Sequence, residues 1–211
     1  MHHDELQNIL SGIVSQEQGN LIAAVTQKLT GGKKPGSAFE KDSVTKQQEE
    51  KILSEFADAH QLWINDIDEK FFLAEGAEQR VYLCADGMNV YKLNDTIFYT
   101  SWADYFLSLQ LHNFFFPGTF YTLTGFAKKA NVLYAVVQQP FITFDSITDL
   151  EYVKLFLQHN GFEWVKNNDY YHPGFKIILE DLHDENVLTS NNTLFFIDTV
   201  FYKKKEKDGG V

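Results

Sequence analysis

A chain of 211 residues, 44% hydrophobic and 15% aromatic, is long enough for one or two domains and apolar enough to bury a core, which excludes a disordered polypeptide. Its net charge of -11 argues against a surface built to grip nucleic acid or an anionic membrane, and a polyanionic ligand would be held most easily with a divalent cation beside it. The single cysteine, Cys84, excludes an internal disulfide and reads as a buried, inert thiol in a reducing compartment; no run reaches membrane-span length and "MHHDELQNIL" lacks a leader's apolar stretch, so a cytoplasmic protein is expected.

The chain opens with helical patterns. Leu6, Ile9, Leu10, Ile13 and Val14 recur at helical spacing, and Ser15 with Gln18 has capping-box spacing ahead of a second stripe, Leu21, Ile22, Val25 and Leu29. Gly31-Gly32 end that stripe, and residues 31–43 read as a linker rich in Gly, Lys and Ser. Thr45 and Gln48 repeat the capping-box spacing before a third helix that turns Ile52, Leu53 and Phe56 inward. Residues 1–62 therefore form a helical N-terminal extension.

From Phe71 the texture changes to short apolar or alternating runs, "RVYLCA", "MNVYKL", "TFYTLTGFA" and "NVLYAVVQQPFI", with turns at Asp86-Gly87 and at residues 128–131. A helical pattern, "SWADYFLSLQLHNFFF", interrupts them, with His112-Asn113 read as its capping end and the phenylalanine run as a packing seam. A second helix starts near Asp149 and ends at Gly161. Next come a strand, a polar loop, a strand paired back on it through "TSNN", and a charged tail from Tyr202 read as solvated. The order is helices, a five-strand meander broken by one helix, a helix, and a hairpin-like pair, which is an α+β pattern.

The polar loop, Glu180-Asp181-Leu182-His183-Asp184-Glu185-Asn186, carries the chemistry. Phosphoryl transfer needs a carboxylate to orient the attacking hydroxyl, a carboxylate and an amide oxygen for the metal, and a cation on the phosphates. Asp181 and Asn186 stand five residues apart, as base and metal-binding amide do in kinase-type loops, and Asp198 follows at the end of the next strand. A fold-back at "TSNN" brings Asn186 beside Asp198, which gives a reason for an acid within an apolar run. A zinc role for His183 is set aside, because zinc sites favour several nitrogen or sulfur ligands and no other histidine stands at ligand spacing from it; it reads as bracing the loop.

"EDLHDENVL" followed by "LFFID" resembles the catalytic and metal-binding loops of the protein-kinase-like superfamily, in the Asp-x-His-x-x-Asn form of its aminoglycoside and choline kinase branch. With "LAEGAEQRVYL", "NVYKL", "LHNFFFPGTFYTLTGF" and "VVQQPFI", about two-thirds of the chain resembles the compact Ser/Thr/Tyr-kinase-like domain of polyvalent proteins from phages and conjugative elements. The resemblance implies a reduced bilobal fold: a five-stranded antiparallel N-lobe with one helix over residues 63–143, and a truncated C-lobe over 144–211. It implies a phosphate-covering turn at Gly76, Ala77, Glu78 and Gln79, a phosphate-binding Lys92, and an adenine-side hinge at Gln138, Gln139 and Phe141. Asp181 would be the catalytic base, and Asn186 and Asp198 the magnesium ligands. The implied cofactors are ATP and Mg²⁺ between the lobes, and the implied partner is a hydroxyl acceptor on a protein or small molecule, with no direct nucleic-acid or membrane binding.

Three departures qualify it. The helix "SWADYFLSLQLHN" has no glutamate to pair with Lys92, leaving Asp104 or Gln110 as substitutes. Asp198 is followed by Thr199-Val200 rather than Phe-Gly, and thirteen residues after Asp198 leave no room for an activation segment or substrate platform. These support an alternative, a degenerate pseudokinase acting as a nucleotide-binding or protein-interaction module.

Overall fold

The computed structural model describes residues 2–10, 21–31, 45–76 and 79–204, so the Ser15–Gln18 capping box and nearly all of the linker lie outside the described residues. The fold is mixed α+β and divides into two compact units, Met1–Phe141 and Ile142–Val211. No helix among the described residues is long and apolar enough to cross a membrane.

The first unit begins with α1 (His2–Leu10), α2 (Leu21–Thr30) and α3 (Lys46–His60). Sequence-local chemistry starts α3: the Thr45 hydroxyl accepts from Gln48 N–H at 3.3 Å, and the Gln48 side chain accepts from Thr45 N–H at 2.8 Å. Leu53 and Ala57 form its buried stripe, while Ile52 and Phe56 are half-buried, so the inward face is rotated from the expected one.

Five antiparallel strands follow: β1 (Phe72–Glu75), β2 (Gln79–Leu83), β3 (Asn89–Asn94), β4 (Thr122–Lys129) and β5 (Val132–Pro140). Their spatial order is β1-β2-β3-β5-β4, which corrects the expected meander. The chain leaves β3 through α4 (Trp102–Phe115), lays β4 at the edge, and returns as β5 between β4 and β3 by a turn at Ala130-Asn131, both with positive φ. Composition explains the choice: Ala135, Val136 and Val137 are all buried, so β5 is apolar on both faces and belongs inside the sheet.

One face of this sheet buries Tyr82, Leu93, Ala127 and Val136 under Ile64 and Ile67. Residues 62–64 run beside β4, with Ile64 N–H donating to Phe126 O at 2.8 Å and Phe126 N–H donating to Leu62 O at 2.9 Å. Phe106 of α4 meets Phe126 edge-on with centroids 6.5 Å apart. α1, α2 and α3 also pack on α4, so that helix is buried nearly all round rather than along one stripe.

The second unit contains α5 (Leu150–His159), β6 (Glu163–Lys166), β7 (Asp169–His172), β8 (Ile177–Glu180), β9 (Val187–Ser190), β10 (Thr193–Phe196) and β11 (Val200–Lys203). The Asp149 carboxylate caps α5 by accepting from Glu151 N–H at 2.9 Å. The strands form a sheet in the order β11-β8-β7-β6 and a separate β9–β10 hairpin. Two features correct the sequence reading. The β6–β7 hairpin turns on Asn167-Asn168, both at positive φ, and Tyr202-Lys203 belong to β11 instead of a solvated tail.

Candidate functional site

Two strand pairings build the polar loop of the second unit. β8 and β11 pair with Glu180 opposite Val200, and β9 and β10 pair with Val187 opposite Phe196. Residues 181–186 and 197–199 are thereby brought to one junction. Ile197 N–H donates to Asn186 O at 2.9 Å and Asp198 N–H reaches the same oxygen at 3.4 Å. Buried Leu182 and Val187 anchor the loop into the core on either side of its polar residues.

Within the loop, the Asn186 amide nitrogen donates to the Asp181 carbonyl at 2.8 Å and to the Asp181 carboxylate at 3.0 Å. Both amide hydrogens are thus engaged by Asp181. His183 braces the turn: its Nδ1 accepts from Glu185 N–H at 3.3 Å, and its Nε2 lies 3.0 Å from the Asn186 amide nitrogen and 3.5 Å from an Asp181 carboxylate oxygen. Asp181 sits at φ 66, a left-handed conformation that Asp tolerates better than most side chains. Asp181, Asp184 and Glu185 are exposed, whereas Asn186 and Asp198 are half-buried. Glu180 lies just inside, and burial, helped by the charges of Asp169 and Asp181, pushes its carboxyl above the ordinary range.

The backbone contact brings Asn186 and Asp198, an amide and a carboxylate whose side-chain donors are oxygen, to one junction. That set fits Mg²⁺, which takes few protein ligands and keeps water and phosphate oxygens in its remaining positions. Among the described residues no three His, Cys, Asp or Glu side chains converge as a metal-holding cluster.

The remaining expected residues belong to the first unit. Gly76 N–H donates to Gln79 O at 2.9 Å across the β1–β2 turn, while Ala77 and Glu78 lie outside the described residues. Lys92 is only 4% exposed, on β3, and pairs with Val81 and Val137. Its ammonium donates to the Tyr121 hydroxyl at 3.4 Å and stands 5.5 Å from the centre of that ring. Burying an ammonium is costly unless neighbours compensate, and such groups concentrate at functional sites.

Strand alternation separates the two hinge glutamines. Gln138 is paired with Tyr91, so it faces away from Lys92, and its amide reaches the Cys84 sulfur at 3.8 Å. Gln139 shares the Lys92 face but donates to Thr119 O at 2.8 Å. The β4 register ends at Thr122↔Gln138, so the backbone beyond has β3 alone beside it, and Phe141 N–H donates to Met88 O at 2.8 Å. Cys84 is buried, and desolvation pushes its thiol upward, in keeping with an inert role.

Sequence reasoning did not attach two neighbours to Lys92. One is Tyr121, which lies in the strand run "TFYTLTGFA" but carries nothing there that marks it as a partner of a lysine on another strand. The other is His112, whose ring lies inside the last turns of α4 and against Thr119 O at 2.9 Å rather than capping the helix. Burial, with the Lys92 charge adding to it, drives His112 down to about 3, so it is neutral and carries its proton on Nε2. Of the suggested partners for Lys92, Gln110 donates instead to Thr26 of α2 at 2.9 Å, and Asp104 sits in the first turn of α4.

Residues 46–205 match the family model described as a serine/threonine/tyrosine kinase found in polyvalent proteins. No curated protein and no solved structure matches the chain.

Proposed function

We propose that this chain, which belongs to the family of serine/threonine/tyrosine kinases found in polyvalent proteins, is an ATP- and magnesium-dependent phosphotransferase acting on a hydroxyl of a protein or small molecule. Under this proposal the two units correspond to the lobes of a reduced kinase-like fold. The observation that carries the proposal is the junction of Asp181, Asn186 and Asp198, where one amide is bonded to one acid through its side chain and to the other through its backbone.

When bound, ATP supplies the γ-phosphoryl group and Mg²⁺ neutralises its charge. The Asn186 side-chain oxygen and the Asp198 carboxylate would hold that metal. The Lys92 ammonium, fixed on the third strand of the sheet, binds the phosphates as a positive point charge. Asp181 would take the proton of the acceptor hydroxyl, whose oxygen would then bond to the γ-phosphorus as the bond to the β–γ bridging oxygen breaks and ADP leaves. His183 and Asn186 hold the Asp181 carboxylate in place.

Calorimetric titration of the protein with MgATP, followed by transfer of radiolabelled phosphate to the chain itself or to candidate acceptors, tests this. Binding is expected in the wild type, and to weaken at least tenfold in Lys92→Ala and Asp198→Ala. Asp181→Asn is expected to keep binding and lose transfer. Wild-type binding without transfer to any acceptor would favour a degenerate nucleotide-binding module, and no binding at millimolar MgATP would refute both readings.

A further inference from the structure

We propose that Tyr121 is a positioning residue for the Lys92 ammonium, and that α4 acts on this lysine through the phenol rather than through a helix carboxylate; the functional consequence rests on the phosphotransferase reading. Kinase sites pair the strand lysine with a glutamate from the helix. In α4 the only acid is Asp104, in the first turn, while Gln110 is bonded to α2. At the other end of α4, Asn113 brackets the Tyr121 backbone: its amide nitrogen donates to Tyr121 O at 2.8 Å, and its carbonyl oxygen accepts from Tyr121 N–H at 2.6 Å. The neutral His112 ring lies 4.6 Å from the Tyr121 ring.

Two residues earlier, Thr119 O accepts from both His112 and Gln139, so the whole 119–121 segment is tied to α4 and β5. Tyr121 is 5% exposed. A tyrosine has only two side-chain torsions; here Asn113 holds its backbone and the His112 ring lies against its own, so its hydroxyl is a pre-set acceptor. Lys92 has four flexible methylenes, and a fixed acceptor such as the Tyr121 hydroxyl narrows where its ammonium can stand. A displacement of the last turn of α4 moves Asn113, therefore Tyr121, and therefore the ammonium.

The test uses Tyr121→Phe, which keeps the ring and its packing while removing the hydroxyl, and Asn113→Ala, which frees the Tyr121 backbone. The first readout needs no nucleotide: the acetylation rate of Lys92 in the free protein, mapped by peptide mass spectrometry against Lys129 and Lys154 as internal references. Lys92 is expected to label at least about threefold faster in each variant, with the reference lysines unchanged. The second readout is the Kd for MgATP, expected to rise about tenfold in Tyr121→Phe, the scale of one hydrogen bond to a charged group. Wild-type labelling of Lys92 in both variants would overturn the proposal, whatever the nucleotide result. If the wild type binds no MgATP, the phosphotransferase reading fails, and the labelling rates alone decide the role of Tyr121.

Discussion

Replacing Glu49 with alanine is expected to destabilise the first unit by about 2–3 kcal/mol, a value that follows from what its carboxylate does. Glu49 lies on α3, is 1% exposed, and accepts from Trp102 N–H at 2.8 Å and from Ala103 N–H at 3.4 Å. Those are the first two residues of α4, and the third N–H, of Asp104, is taken by the Ser101 hydroxyl at 3.0 Å. An acid 53 positions away in the chain thus completes the cap of a helix whose start is buried. Alanine orphans one well-bonded buried donor, at about 1–3 kcal/mol, and removes an anion from the helix N-terminus, at about 0.3–1 kcal/mol. Glutamine retains an acceptor and sheds the desolvated charge, so Glu49→Gln should cost at most about 1 kcal/mol at neutral pH.

The pH dependence gives a second, signed check. Burial raises the Glu49 carboxyl above 4.5, with Asp104 adding to the rise, while the two backbone N–H groups and Lys46 recover only part of it. A raised folded-state value means the folded protein holds this proton more tightly than the unfolded chain. The stability linked to it is fully present below 4.5 and is lost as pH rises through the folded value. The wild-type advantage over Glu49→Gln should therefore grow as pH is lowered from 7 toward 4.5. Urea unfolding followed by far-UV circular dichroism at pH 5 and 7 measures it. Hydrogen exchange of peptides covering the first turn of α4 localises the effect. An alanine penalty below about 0.5 kcal/mol, or a glutamine difference that ignores pH, would refute the capping account.

Other outcomes follow from single groups. His112, held at about 3, opposes Glu49: the unfolded chain takes up its proton below about 6.5, so stability falls from there toward pH 3, by up to about 1.4 kcal/mol per pH unit. His112→Gln should flatten that acid limb in the same unfolding series, and an unchanged slope would contradict a buried neutral imidazole. A methyl group at Gly125 would stand 2.2 Å from Leu62 O, a backbone atom that cannot swing aside. Gly125→Ala should therefore cost about 2–3 kcal/mol in thermal or urea unfolding, and a neutral result would mean that residues 62–64 do not run against β4. Cys84 should react with a disulfide reagent at pH 7.5 at least about a hundredfold more slowly in the folded protein than in urea, since burial both shields the thiol and raises it.

What the sequence made legible was what neighbours along the chain decide. The Thr45–Gln48 box closes within one turn, and Asn191-Asn192, both at positive φ, close a hairpin of two four-residue strands. Once Val187 faces Phe196, Asn186 must meet the residues that follow β10, so the proximity of Asn186 to Asp198 could be inferred without coordinates. The strand order could not. Nothing local to β4 or β5 states which one is the edge, and the answer rests on β5 being apolar on both faces. Turns with two asparagines also mark β6–β7, yet "WVKNNDYY" holds too little apolar alternation to signal its strands.

The least legible contacts share one feature: they gather around α4 from distant segments. Glu49 closes its first turn and Lys46 donates to the carbonyls of Thr96 and Tyr99 in the approach to it. Thr26 holds its middle through Gln110, and Asn113 and His112 fasten its last turns to residues 119–121. Charged or polar side chains at these positions look like surface residues in a sequence, because burial of an ionisable group becomes tolerable only when a partner far along the chain supplies the compensation. The matched family region begins at Lys46, so α3 with both of its α4-directed residues falls inside that region. An element that reads as an N-terminal appendage is, by these contacts, part of what sets the helix beside Lys92.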